Sequence, residues 1–158
     1  MSEDAGFDTG IFAGLFVASP AEVEAWDMTS LTPPGWPAIE FKRLDSVRLG
    51  KLEAILTEVR YEDIDRSQLH KLVRNGGEDG PWIMGVRQEL IDALTELSAD
   101  AAAATAARWA DTDEFKLRPT DPPRQQDIED LTGRLAAMTG LARVSKQEGK
   151  PTFLLLSL

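Results

Sequence analysis

Cysteine is absent from the 158-residue sequence and histidine occurs once, as His70. The first absence removes disulfides, thiolate metal sites and thiol nucleophiles together. The second all but excludes tetrahedral zinc, which draws on several Cys or His ligands, and leaves a Ser-His-Asp triad no route except through His70. His70 lies between Leu69 and Leu72 on an expected amphipathic helix. An ordinary surface or half-buried residue is the first reading there, and a general base or ligand the second. Long apolar runs are missing too: none approaches the roughly 20 residues of a membrane helix. The first ten residues carry Glu3, Asp4 and Asp8 and no basic segment, which is not the pattern of a signal peptide. A cytoplasmic protein with no membrane contact is the expectation.

Positive charge is scarce. There are 17 basic residues against 27 acidic ones, a formal charge of −10, which repels a phosphate backbone and disfavours nucleic acid as a partner. The locally basic stretch is Lys42, Arg43, Arg48 and Lys51, near the start of an expected helix. It reads as a solvated face balancing nearby acids, with an anion-binding patch as the other possibility.

What is present reads as one globular domain over residues 1–158, of which 1–9 can stay loose. Residues 11–18 and 151–158 are strands apolar at odd and even positions, the pattern of strands covered on both faces. The second is expected to fill a slot left by the earlier elements, and Gly14 marks where another backbone or a bulky group approaches the first. Ser19, Pro20 and Glu22 make a capping box with proline at the first helical position, opening a short helix whose Val23 and Trp26 share a face. A short strand follows over 39–44. Asp45 or Ser46 then caps a helix to about Glu58, with Leu49, Leu52, Ile55, Leu56 and Val59 on one stripe. Asp63 or Asp65 opens a weaker helix with Leu69, Leu72 and Val73, stopped at Asn75-Gly76-Gly77.

Trp82, Ile83 and Met84 form another short strand, and three helices are expected at 88–97, 99–110 (capped by Ser98) and 125–147. The last presents Ile128, Leu131, Leu135 and Met138 inward, and Gly149 ends it. Residues 117–124, with Pro119, Pro122 and Pro123, are a connection. The sum is an α+β domain, a small mixed sheet with strands at both chain ends covered by five or six helices, with a doubly wound sheet as second choice. Gly133 and Gly140 each cost the long helix about 0.8–1 kcal/mol relative to alanine. Either they open a groove for a close helix, with 99–110 as the candidate, or they lie on a solvated side.

Few motifs carry chemistry. Acids cluster at Glu62, Asp63 and Asp65 and at Asp111, Asp113 and Glu114, without the ligand order of a calcium loop. The loop from Asn75 to Gly80 is glycine-rich but lacks a Gly-Lys-Ser ending, and its own acids repel phosphate, so it reads as a turn. Trp36 stands among Pro33, Pro34 and Pro37 in a stiff loop over 31–38. It either folds back to plug the core or, with Pro34 and Pro37, makes a partner-binding edge.

In the order of its elements the chain resembles the YfbM-like family of small bacterial proteins. The features concerned are Leu44-Asp45 running into a helix that ends Ile55-Leu56-Thr57, the helix after Trp82, and the long helix leading through Glu148-Gly149-Lys150 into an apolar strand. The resemblance implies a compact α+β bacterial domain and no activity. No cofactor and no metal site are expected. The residues favour a non-enzymatic acidic interaction module, of inhibitor or immunity type, that binds another protein; the alternative is a carboxylate-dependent hydrolase, with or without a metal.

Overall fold

The computed structural model describes residues 13–28, 32–42, 44–64, 72–77 and 81–156. β1 (Gly14–Val17) and β5 (Thr152–Leu156) lie side by side, Leu15 opposite Leu154 and Phe16 opposite Phe153. Every residue of β1 is buried, as are four of the five in β5, because their apolar side chains meet a core on each face. β2 (Ala38–Glu40) pairs with the outer side of β1, β4 (Trp82–Gly85) with the free side of β5, and β3 (Leu72–Asn75) with β4, giving the order β2-β1-β5-β4-β3.

The α+β class is borne out. The sheet, expected to be mixed, is antiparallel at all four pairings among the described residues, and a doubly wound sheet is ruled out with it. The reason lies in the connection from β4 to β5. The chain leaves the sheet at Gly85 and returns beside it, Gly85 facing Phe153, so the excursion ends where it began instead of crossing to the other end.

Five α-helices occur among the described residues: α1 (Pro20–Ala25), α2 (Ser46–Thr57), α3 (Gln88–Thr95), α4 (Ala99–Ala110) and α5 (Gln125–Glu148). None is long and apolar enough to cross a membrane. Their ends follow local chemistry. In the capping box of α1 the Ser19 hydroxyl accepts from Glu22 N–H at 3.1 Å, and Ser19 N–H donates to the Glu22 carboxylate at 2.8 Å. The Asp45 carboxylate accepts from Arg48 N–H at the start of α2, the Ser98 hydroxyl from Ala101 N–H at the start of α4, and Gly149 closes α5 in the left-handed region.

The sheet divides two cores. On one face Leu15, Val17 and Leu154 pack against α2 to α5, with Leu90, Ile91 and Leu94 of α3 and Leu131, Leu135 and Met138 of α5 inward as their spacing predicts. Trp109 brings bulk to the alanine-rich α4; it is fully buried, and its indole N–H donates to Arg48 C=O at 3.0 Å. On the other face Phe16, Ile83, Phe153 and Leu155 are covered by Val23 and Trp26 of the α1 region and by Trp36.

One expectation is corrected here, and one open choice is decided. The weak helix from Asp63 or Asp65 is absent from its described part: Tyr61–Asp63 is a 3-10 turn, and Leu72 and Val73 belong to edge strand β3, while Asp65, Leu69 and His70 lie outside the described residues. Pairing with β4 across the Asn75-Gly76 turn, where Gly76 N–H meets Pro81 C=O at 2.8 Å, overrides a helical spacing that rested on three residues. The glycines of α5 make no groove for α4. α4 does pack along α5, but Gly133 and Gly140 face solvent, with nothing within 4 Å of where a Cβ would stand.

Gly14 is the opposite case. A Cβ there would lie 2.2 Å from Ile39 O and 2.8 Å from Phe41 N, because the backbone of the paired strand β2 runs directly beside it. Gly14→Ala should therefore cost about 3 kcal/mol or more through backbone overlap. Gly133→Ala, in open helix surface, should add about 0.8–1 kcal/mol. Urea unfolding of both variants checks the contrast, and equal effects would contradict the close approach at Gly14.

Candidate functional site

The proline loop folds back onto the sheet. Trp36 is half-buried, stacked on Phe16 at 5.4 Å between centroids and set edge-on to Trp26 at 5.5 Å. Pro33 is buried and Pro34 exposed. Half-buried Pro37 offers its carbonyl to Val17 N–H at 2.9 Å, which ties the loop to β1 just before β2 begins. The plug geometry thus holds for one side of the indole, while Pro34 stays in solvent. Arg74 of β3 secures the same layer by donating to Val23 O at 2.6 Å and Trp26 O at 2.9 Å, a cation at the C-terminal end of α1.

The basic stretch is absorbed into its surroundings. Lys42 pairs with Glu40 at 3.7 Å, and Lys51 with Glu114 at 3.8 Å while standing over the Tyr61 ring. Arg48 binds Asp45 at 2.6 Å, donates to Glu114 C=O at 2.6 Å and lies over Phe115. These bonds tie residues 111–116 to α2. Arg43 lies outside the described residues. The acidic clusters are dispersed in the same way: Asp63 pairs with Arg60, Asp111 with Lys116 and Glu114 with Lys51. Among the described residues no three His, Cys, Asp or Glu side chains come together as a metal site. In the Asn75 loop, Gly77 N–H donates to the Asn75 side chain, which makes a turn of its described part; residues 78–80 lie outside it.

The segment read as a mere connection holds the least expected feature. Leu117 is 87% exposed, yet the backbone beneath it is fixed. Phe115 is buried edge-on against Trp109, Lys116 Nζ reaches Asp111 at 2.7 Å and Pro119 C=O at 3.0 Å, and Asp121 N–H bonds Arg118 C=O at 3.0 Å. A small cavity beside it, lined by Leu117, Pro122 and Asp127 among others, adjoins a cleft of about 150 Å³ through the shared residues Phe115 and Asp127. Charges of both signs surround the cleft. Arg134 pairs with Asp130 at 3.0 Å, lies over the Phe41 ring at 4.5 Å and donates to Glu40 C=O at 3.3 Å; Arg124 pairs with Asp127 at 3.0 Å. The sequence signal was there to find: a leucine between Lys116 and Arg118, among prolines, has no apolar face to join.

One carboxylate is deeply buried. Glu53 of α2 is 2% exposed and takes a two-pronged bond from Arg87 Nε at 2.9 and 3.0 Å. Burial outweighs the guanidinium and pushes its carboxyl above the ordinary range. It lines neither part of the cleft, and the pair joins α2 to the start of α3. Two surface acids shift the other way. Glu22 is lowered by the Ser19 backbone hydrogen bond and by Lys150, and Asp92 by hydrogen bonds from Gln88 and Lys146.

The chain matches no protein-family model, no curated protein and no solved structure.

Because Trp36 packs on Phe16 and Trp26 with one side only, Trp36→Ala should cost about 2–3 kcal/mol, less than the 3–5 kcal/mol of a fully buried aromatic. Thermal or urea unfolding measures it. An unchanged melting temperature would contradict the plug geometry.

Proposed function

We propose that the protein is a non-enzymatic binding module that docks on another protein along the β2 edge of its sheet, with Leu117 as the apolar anchor. The observation that carries this reading is a leucine 87% exposed on a backbone held by four surrounding bonds and a buried phenylalanine. Such a side chain has little freedom left to lose on contact, which is what lets a single exposed group contribute strongly to binding. The charged cleft beside it supplies register, since paired charges of both signs discriminate among partners more than they add affinity. β2 runs along this edge from the proline loop, with Trp36, Pro37 and exposed Pro34, to Phe41 and Lys42 at the cleft.

The net charge of −10 favours a basic partner surface, as expected of an inhibitor or immunity-type protein, and disfavours nucleic acid and anionic membranes. A carboxylate-dependent hydrolase would draw on Asp127 and Asp130 of the cleft, but each is tied to an arginine.

Affinity capture from the producing cells with the wild-type chain and Leu117→Asp tests the reading. A partner retained by the wild type should be lost with the variant, a change of about 2 kcal/mol or more at an anchor position, with melting unaltered. Undiminished capture by Leu117→Asp would overturn the docking surface. Hydrolysis abolished by Asp127→Asn or Asp130→Asn would move the assignment to the enzyme.

A further inference from the structure

The solvent side of α4 carries a charge pattern that matches itself. Asp100, Ala104 and Arg108 follow one another at intervals of four residues, all three exposed, and so form a single row along the helix. Exposed Ala101 and half-buried Ala107 flank that row, one on each side, while Ala102, Thr105, Ala106, Trp109 and Ala110 are buried against the core. Between Asp100 and Arg108 the solvent side therefore carries nothing larger than a methyl group.

Two independent observations bear on what this face meets. The first is that its charges are idle. Neither Asp100 nor Arg108 makes an ion pair or a side-chain hydrogen bond among the described residues, whereas Asp92 of α3 and Asp127 and Asp130 of α5 are each paired with a cation. Eight residues separate Asp100 from Arg108, about 12 Å of helix, so they do not reach one another. The second is their placement. Asp100 stands four residues before Ala104 and Arg108 four after it; Ala101 stands three before and Ala107 three after. Reversing the helix about Ala104 exchanges the two charges and returns the same alanines.

We propose that α4 is the interface of a twofold dimer, packed antiparallel on α4 of a second copy with Ala104 at the axis. Rows of residues four apart align in the commonest class of helix packing, so the row of one helix lies beside that of the other, and each Asp100 meets the Arg108 of the opposite copy. The alanines between the charges let the backbones approach to about 8 Å, the close end of helix packing distances. A parallel arrangement is excluded, because it sets aspartate on aspartate and arginine on arginine. The symmetry is what selects a second copy over an unrelated protein: both ends of the face are satisfied by the face itself. The helix is only 12 residues long and each copy carries a charge of −10, so the dimer is a weak one that depends on its paired ends. It shares no residue with the cleft and Leu117 at the β2 edge.

Sedimentation velocity of the full-length chain, from about 10 µM to about 1 mM, tests the interface. The wild type should pass from monomer to dimer across that range. Ala104→Glu places like charges together at the axis, at an exposed position where glutamate is a good helix former, and should weaken association about tenfold or more while leaving the melting temperature of the dilute monomer unchanged. Asp100→Arg and Arg108→Asp each set like charges opposite at both ends and should weaken association to a similar degree. The double exchange rebuilds both pairs with their signs reversed and should restore it. That exchange sets both charges against the α4 macrodipole, a weak effect at the surface, and circular dichroism checks that the helix is kept. A chain that stays monomeric at about 1 mM, a dimer that Ala104→Glu or either single reversal leaves intact, or a helical double exchange that associates no better than the single changes would each overturn the interface.

Discussion

β5 has to meet four surroundings at once. β1 takes the hydrogen bonds of one edge and β4 those of the other, while Leu154 faces the helices and Phe153 and Leu155 face the aromatic layer. Three large side chains buried this fully contribute about 1.5–3 kcal/mol each, a large fraction of the 5–15 kcal/mol that stabilises an ordinary domain. The other strands have easier requirements. β2 and β3 are edges with mostly exposed residues, and either could shift without dividing the sheet. Without β5, β1 and β2 would share no hydrogen bonds with β4 and β3, and the two cores would lose their common wall.

The two faces of that wall are unequal, and the inequality sets where function can sit. One face carries four helices and a mainly aliphatic core that also holds Phe41, Trp109 and Phe115. The other carries a six-residue helix and an indole-rich loop, held by aromatic contacts and by Arg74 at the end of α1. The cleft, the exposed leucine and the small cavity all belong to the helical layer, where α4, α5 and the segment between them meet. A rigid scaffold beneath loops is the usual seat of binding, and here the loop is itself braced by Arg48 and Phe115.

Much of this was legible in the residues, for reasons that differ by element. Ser19 and Glu22 act within four residues, so their capping box needs no tertiary information. The apolar runs of β1 and β5 state burial on both faces directly, and Gly14 states a close approach because nothing else in the run lacks a side chain. β3 was not legible. Its apolar residues are few, one of its two faces is exposed, and its identity comes from pairing with β4. The glycines of α5 leave two readings open in the sequence, since a missing side chain looks the same whether it faces a helix or water, and the structure decides for water. Trp36 and the basic stretch were each left between two readings, and geometry favours packing for both, with one side of the indole open. Leu117 is legible in part: a leucine between Lys116 and Arg118 has no apolar face to join, but the extent of its exposure is set by the fold.

Native-state hydrogen exchange shows whether β5 is the strand on which both cores close. The backbone amides of Phe153, Leu154 and Leu155 should exchange only through global unfolding, with an opening free energy equal to that from urea denaturation, while those of Ala38 and Glu40 on the β2 edge exchange through far smaller openings. Exchange of the β5 amides through local opening, well below the global value, would contradict it.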